Sequence, residues 1–83
     1  MALFMDVHTM GGPVGLTDVE QAHAADLRTQ ERYGVSYLRY WVDEAAGKIF
    51  CLVEAPDAEA AATVHREAHG LVADEIYAVA EGA

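Results

Sequence analysis

The spacing of apolar residues changes along this chain, and each change marks an element. From Ala2 to His8 the run ALFMDVH reads as a strand, and Met10 to Gly15 (MGGPVG) as a Gly/Pro loop leading into a helix. Thr17 and Glu20 have the spacing of a T-x-x-E capping box, after which Val19, Ala22, His23 and Leu27 recur at helical intervals until Gly34. A first helix is expected over about Asp18 to Tyr33. The runs VSYLRYWV (Val35 to Val42) and KIFCLVEA (Lys48 to Ala55) are rich in β-branched and aromatic residues and flank the polar turn Asp43 to Gly47, which predicts a hairpin. Asp57 can cap a second helix through Ala61, Val64, His65 and Ala68, stopped by Gly70, and Glu75 to Val79 supplies a short last strand.

The order is therefore βαββαβ. This is the ferredoxin-like α+β plan, with two antiparallel helices on one face of a four-stranded antiparallel sheet of spatial order 4-1-3-2. The 83 residues make one domain, near the size at which a single core becomes marginal. Both sheet faces are apolar: simple alternation puts Val35, Tyr37 and Trp41 opposite Leu38, Tyr40 and Val42, and Ile49, Cys51 and Val53 opposite Phe50 and Leu52. A sheet with one wet face alternates cleanly, so the second face is expected to pack sheet to sheet on another copy, giving a barrel-like homodimer.

Charge narrows the partners. Fourteen acids against five bases give a formal charge of −9, which disfavours nucleic acid and anionic membrane surfaces and favours cations. No apolar run approaches the ~20 residues of a membrane span. MALFMDVH lacks the basic region and cleavage site of a secretory leader, so a cytoplasmic location is expected. The single cysteine, Cys51, lies in the apolar run IFCLV, where a reduced, packed thiol is the ordinary reading.

His65 and His69, in HREAHG, stand one helical turn apart on the same face, and neutral imidazole suits nickel, copper, zinc or iron. Arg66 occupies the position that is acidic in HExxH, so that motif is not present. Without a metal, His65 would be a half-buried helix residue and His69 a helix-end cation before Gly70. Topology adds to the pair. His8 closes the first strand, His23 lies about two turns into the first helix, and the second helix ends at that same sheet edge, so all four histidines belong to one end of the fold, with His23 and His65 within roughly 10 Å of the edge.

Strand alternation places Phe4, Asp6 and His8 on one face and Leu3, Met5 and Val7 on the other. If the more apolar face meets the helices, Asp6 and His8 look toward the dimer face and form a separate site; the sequence leaves both orientations open. Asp6 is a candidate ligand, a carboxylate that fixes an imidazole tautomer, or a polar strand residue near solvent. His23 shares the face of Val19 and Leu27, as a ligand or as a packed histidine with Asp26 as its partner at i+3. Glu54 falls at the opposite sheet edge. Cys51 lacks the base and electropositive setting of a nucleophile, and no Ser/His/Asp constellation is present. Tyr37, Tyr40 and Trp41 could line a pocket between sheet and helices or simply fill the core.

The segments YGVSYLRYWVDEAAGKIFCLVEAPDAEA and VHREAHGLVADEIY resemble a family of small bacterial proteins that includes a nickel-binding ferredoxin-like dimer. The resemblance runs from Tyr33 to Tyr77 and is most specific in FCLVEAPD with HREAHG. It implies a homodimer that binds Ni(II), to sequester it or buffer its level, with waters completing an octahedral or tetragonal shell. His65 and His69 match the motif directly. Cys51 and Glu54 belong to FCLVEAP and carry no metal role, while His8, His23 and Asp6 rest on the topology. The reading from another class is a small dimeric α+β barrel enzyme of monooxygenase or isomerase type, kept open by fold analogy. A plain structural or regulatory dimer is the third.

Overall fold

The computed structural model describes residues 2–82. Its elements are β1 (Ala2–Thr9), α1 (Leu16–Thr29) continued by a 3-10 turn (Gln30–Tyr33), β2 (Ser36–Asp43), β3 (Lys48–Ala55), α2 (Ala58–Ala68) and β4 (Glu75–Ala78). All strand pairs are antiparallel and the sheet order is β2-β3-β1-β4. This is the ferredoxin-like fold that the hydrophobic pattern predicts. Ile49, Cys51, Val53 and Ala55 form the inward side of β3 and pack with Val19 of α1 and Ala61 and Val64 of α2. Those residues place both helices on one sheet face.

The punctuation of the chain explains the boundaries. Asp57 caps α2, its Oδ1 accepting the Ala60 N–H at 2.8 Å, and Gly70, at φ +81°, ends it with its N–H on the His65 carbonyl. Gly34, at φ +67°, ends the 3-10 turn in the same left-handed way. The expected Thr17–Glu20 capping box does not form. Helix α1 begins two residues earlier with Gly15 at its N-cap, and the exposed Leu16 N–H donates to Glu44 Oε2 at 3.3 Å, so the hairpin turn supplies the carboxylate instead. Two further bonds, Met10 N–H to the Gly47 carbonyl and Val14 N–H to the Glu44 carbonyl, dock the MGGPVG loop on that turn.

Two face assignments read from the sequence are corrected. A β-bulge at Leu38, between the pairs Tyr37–Val53 and Arg39–Leu52, adds one residue to β2. Beyond it the parity changes, so Tyr37, Tyr40 and Val42 all face the helices while Leu38 and Trp41 look to the open face. On α1, Asp26 is buried and Leu27 is nearly half exposed, the reverse of what hydropathy suggests. The open sheet face carries Leu3, Met5, Leu38, Trp41 and Leu52 along one groove.

Candidate metal centre

β1 is an inner strand, and its Asp6 and His8 are the partners of Cys51 and Ile49 on β3. Because those β3 residues face the helices, so do Asp6 and His8, against the orientation that the greater apolarity of Leu3, Met5 and Val7 favours. The reason is visible in the burial. Asp6 and His8 are 1% and 4% exposed, and Asp26 and His65 2% and 1%, so four ionisable groups are buried together under the helices. Burying a charge is tolerated only where it is paired. The polar face of β1 turns inward because α1 and α2 bring the partners.

His65 is the centre of this group. Its Nε2 lies 3.0 Å from Asp6 Oδ2 and 3.3 Å from His8 Nε2; its Nδ1 lies 2.9 Å from Asp26 Oδ1 and 3.1 Å from His69 Nε2. His69 Nε2 is in turn 3.1 Å from Asp26 Oδ1, and the Leu71 N–H donates to His69 Nδ1 at 3.1 Å. With Nδ1 as that acceptor, a neutral His69 ring carries its proton on Nε2, the nitrogen that faces His65 Nδ1 and Asp26 Oδ1. Tyr37 stacks on His65 at 4.4 Å between ring centroids, and its hydroxyl reaches Asp6 Oδ2 at 2.9 Å and the Ala61 carbonyl at 3.1 Å. Asp6 Oδ1 is 3.2 Å from His8 Nε2 but outside hydrogen-bonding geometry, which leaves it a buried oxygen with no hydrogen-bond partner. Such an atom is rare in a folded protein.

Electrostatics follow the geometry. Burial alone would lower the His65 pKa, but hydrogen bonds to Asp26 and Asp6 outweigh it and raise it to about 9. Burial alone would raise both carboxyls, but their imidazole partners instead hold Asp6 well below the usual carboxylate range and lower Asp26 as well. The metal-free centre at neutral pH is thus an imidazolium clasped by two carboxylates. Burial, and then the Asp6 charge, push the Cys51 thiol and the Tyr37 phenol well above their ordinary values, so both stay protonated.

Two sets of donor atoms lie within 4.8 Å of one another among the described residues: Asp6, His8, Cys51 and His65, and Asp26, His65 and His69. His65 belongs to both. The sequence-derived candidates His8, His65, His69 and Asp6 are therefore brought together, and Asp6 and His8 do not form a separate site on the open face. His23 is in neither set. Its ring tilts against Tyr40 at 4.8 Å between centroids, and burial lowers its pKa while the nearby Asp26 opposes that shift. Asp26, read from the sequence only as a partner of His23, binds His65 and His69 instead. Its signal was present: it lies seven residues after Val19, on the same helical stripe, and an acid on a buried stripe needs a partner. Glu54 is exposed on the far side, as its strand position requires.

No protein of curated function matches the chain. A solved structure, described as the crystal structure analysis of SCO4226 from Streptomyces coelicolor A3(2), is 43% identical, with 99% of this chain and 100% of that one covered at a TM-score of 0.91. The family model described as nickel responsive protein SCO4226-like matches residues 4–79, which spans every residue of the buried cluster. The chain belongs to the nickel-responsive SCO4226-like family.

Proposed function

We propose that the protein binds divalent nickel at the His8–His65–His69 cluster with Asp6 and Asp26, as a homodimer that sequesters the ion or buffers its level. The observation that carries the reading is the bidirectional His65 ring, with carboxylate and imidazole donors converging on both nitrogens at 2.9–3.3 Å. Adjacent donors of an octahedral shell at about 2.1 Å from an ion stand roughly 3 Å apart, so this spacing suits one. The unpartnered Asp6 Oδ1 adds an acceptor that a cation would satisfy. The family's nickel response and the formal charge of −9 support the choice of a cation, and of nickel among the metals that imidazole accepts. Uptake displaces protons, since a ligating ring nitrogen must be free of hydrogen. The open apolar sheet face supports association with a second copy.

The test is calorimetric titration of tag-free protein with nickel, cobalt, zinc and magnesium, repeated on His65→Ala and His69→Ala. The expected result is tightest binding for nickel among those four, weakened in both variants, with a double variant little worse than the poorer single because the donors act as a unit. Variants that fold and bind nickel like the parent would place the ions away from this cluster.

A further inference from the structure

Within IFCLV the Cys51 thiol reads as packing, yet its neighbours across the sheet are polar. β3 is an inner strand, and Cys51, on its inward side, is paired with Asp6 on β1 and with Tyr40 on β2. Opposed residues of an antiparallel pair have Cβ atoms about 4.5–5.5 Å apart, so the thiol and the Asp6 carboxylate meet beneath the helices. There α2 brings the Nε2 edge of His65 to Asp6 and His8. The Cys51 sulfur, one Asp6 oxygen and one ring nitrogen each of His8 and His65 lie within 4.8 Å of one another. We infer that Cys51 is a direct sulfur donor to an ion held by Asp6, His8 and His65, which makes that half of the cluster a four-donor site of two nitrogens, one oxygen and one sulfur. The inference rests on the metal reading and adds the donor that sets the preference among ions.

Three observations support it. All four donor residues are buried, at 1–6% exposure, so the set is closed to bulk water. Asp6 Oδ1 has no hydrogen-bond partner even though the thiol stands on the neighbouring strand, and an ion among the four would give it one. Of the four inward residues of β3, Ile49, Cys51, Val53 and Ala55, only the one opposite Asp6 carries a ligating atom. Chemistry then states the consequence. On binding, one sulfur–metal bond forms and the thiol proton leaves to solvent, since a coordinating thiol is deprotonated outright. A thiolate favours soft and borderline cations, and a hard, oxygen-seeking ion such as magnesium gains nothing from it.

The test is nickel titration of the full chain followed by near-ultraviolet absorbance, with X-ray absorption at the nickel edge on the loaded protein. A sulfur-to-metal charge-transfer band that saturates with the bound ion, and a sulfur scatterer in the first shell, are expected. Cys51→Ser and Cys51→Ala should lose both and bind nickel at least about tenfold more weakly, since even outer-shell changes cost roughly 10–100-fold in affinity. If neither variant folds, the spectra of the unaltered chain decide alone. A folded Cys51→Ala that binds nickel like the parent, or a loaded parent with no such band and only nitrogen and oxygen scatterers, would overturn the inference and leave the metal reading standing. A parent that binds no nickel overturns both.

Discussion

Because His65 lies between two carboxylates, its proton stays on until the pH approaches about 9, while a metal ion takes only the unprotonated nitrogen. The two consequences have opposite signs. A histidine whose folded pKa lies above its unfolded value of about 6.5 contributes stability that is complete below pH 6.5 and is lost as the pH rises through 9. Asp6 and Asp26, held low, contribute stability that is present above about pH 4 and lost as the pH falls further. Metal-free protein should therefore show its urea midpoint falling between pH 7 and 10, while nickel affinity in calorimetry rises from pH 6.5 to 9. His65→Ala should flatten both profiles. The Tyr37 hydroxyl is a second residue-scale lever, because it donates to the buried Asp6 Oδ2. Tyr37→Phe leaves that oxygen with one partner fewer and is expected to cost about 1–2 kcal/mol in urea unfolding.

Among the elements, the two best-marked ends make different demands. Asp57→Ala removes the side-chain cap of α2 and should cost about 1 kcal/mol, read as a lower urea midpoint at unchanged slope. Gly47→Ala should cost more in the same assay. Its φ is +71°, and an added Cβ would stand 2.0 Å from the Gly12 carbonyl oxygen, so the glycine-rich loop would have to leave the hairpin turn. These elements also show what the chain reveals by pattern. The order of strands and helices, the Asp57 cap and the Gly34 and Gly70 stops are local signals, and each is found in place. The bulge at Leu38 is not legible, because one extra residue in a run that is apolar on both sides changes no local preference. Nor is the inward turn of Asp6 and His8. Hydropathy favours turning their face away from the helices, and only the partners contributed by α1 and α2, tens of residues away, reverse that preference.

At the scale of the whole molecule, the covered and uncovered faces of the sheet differ. The helices bury one face; the other presents Leu38 and Trp41, each nearly half exposed, beside Leu3, Met5 and Leu52. An apolar surface of this kind is expected to be covered in solution by a second copy. Sedimentation should give twice the 8.9 kDa chain mass at micromolar concentration, and Trp41→Glu should return it to the monomer mass. The buried cluster has a molecular consequence of another kind. Its donors come from positions 6, 8, 26, 65 and 69, and β1 finds its hydrogen-bonding neighbours only in β3 and β4. On the ribosome, then, Asp6 and His8 of β1 wait through the synthesis of most of the chain before the imidazoles of α2 exist. On the proposed metal reading, capture of an ion at this cluster is closed to the nascent protein and becomes one event with the formation of its most non-local contacts, the slowest kind to assemble.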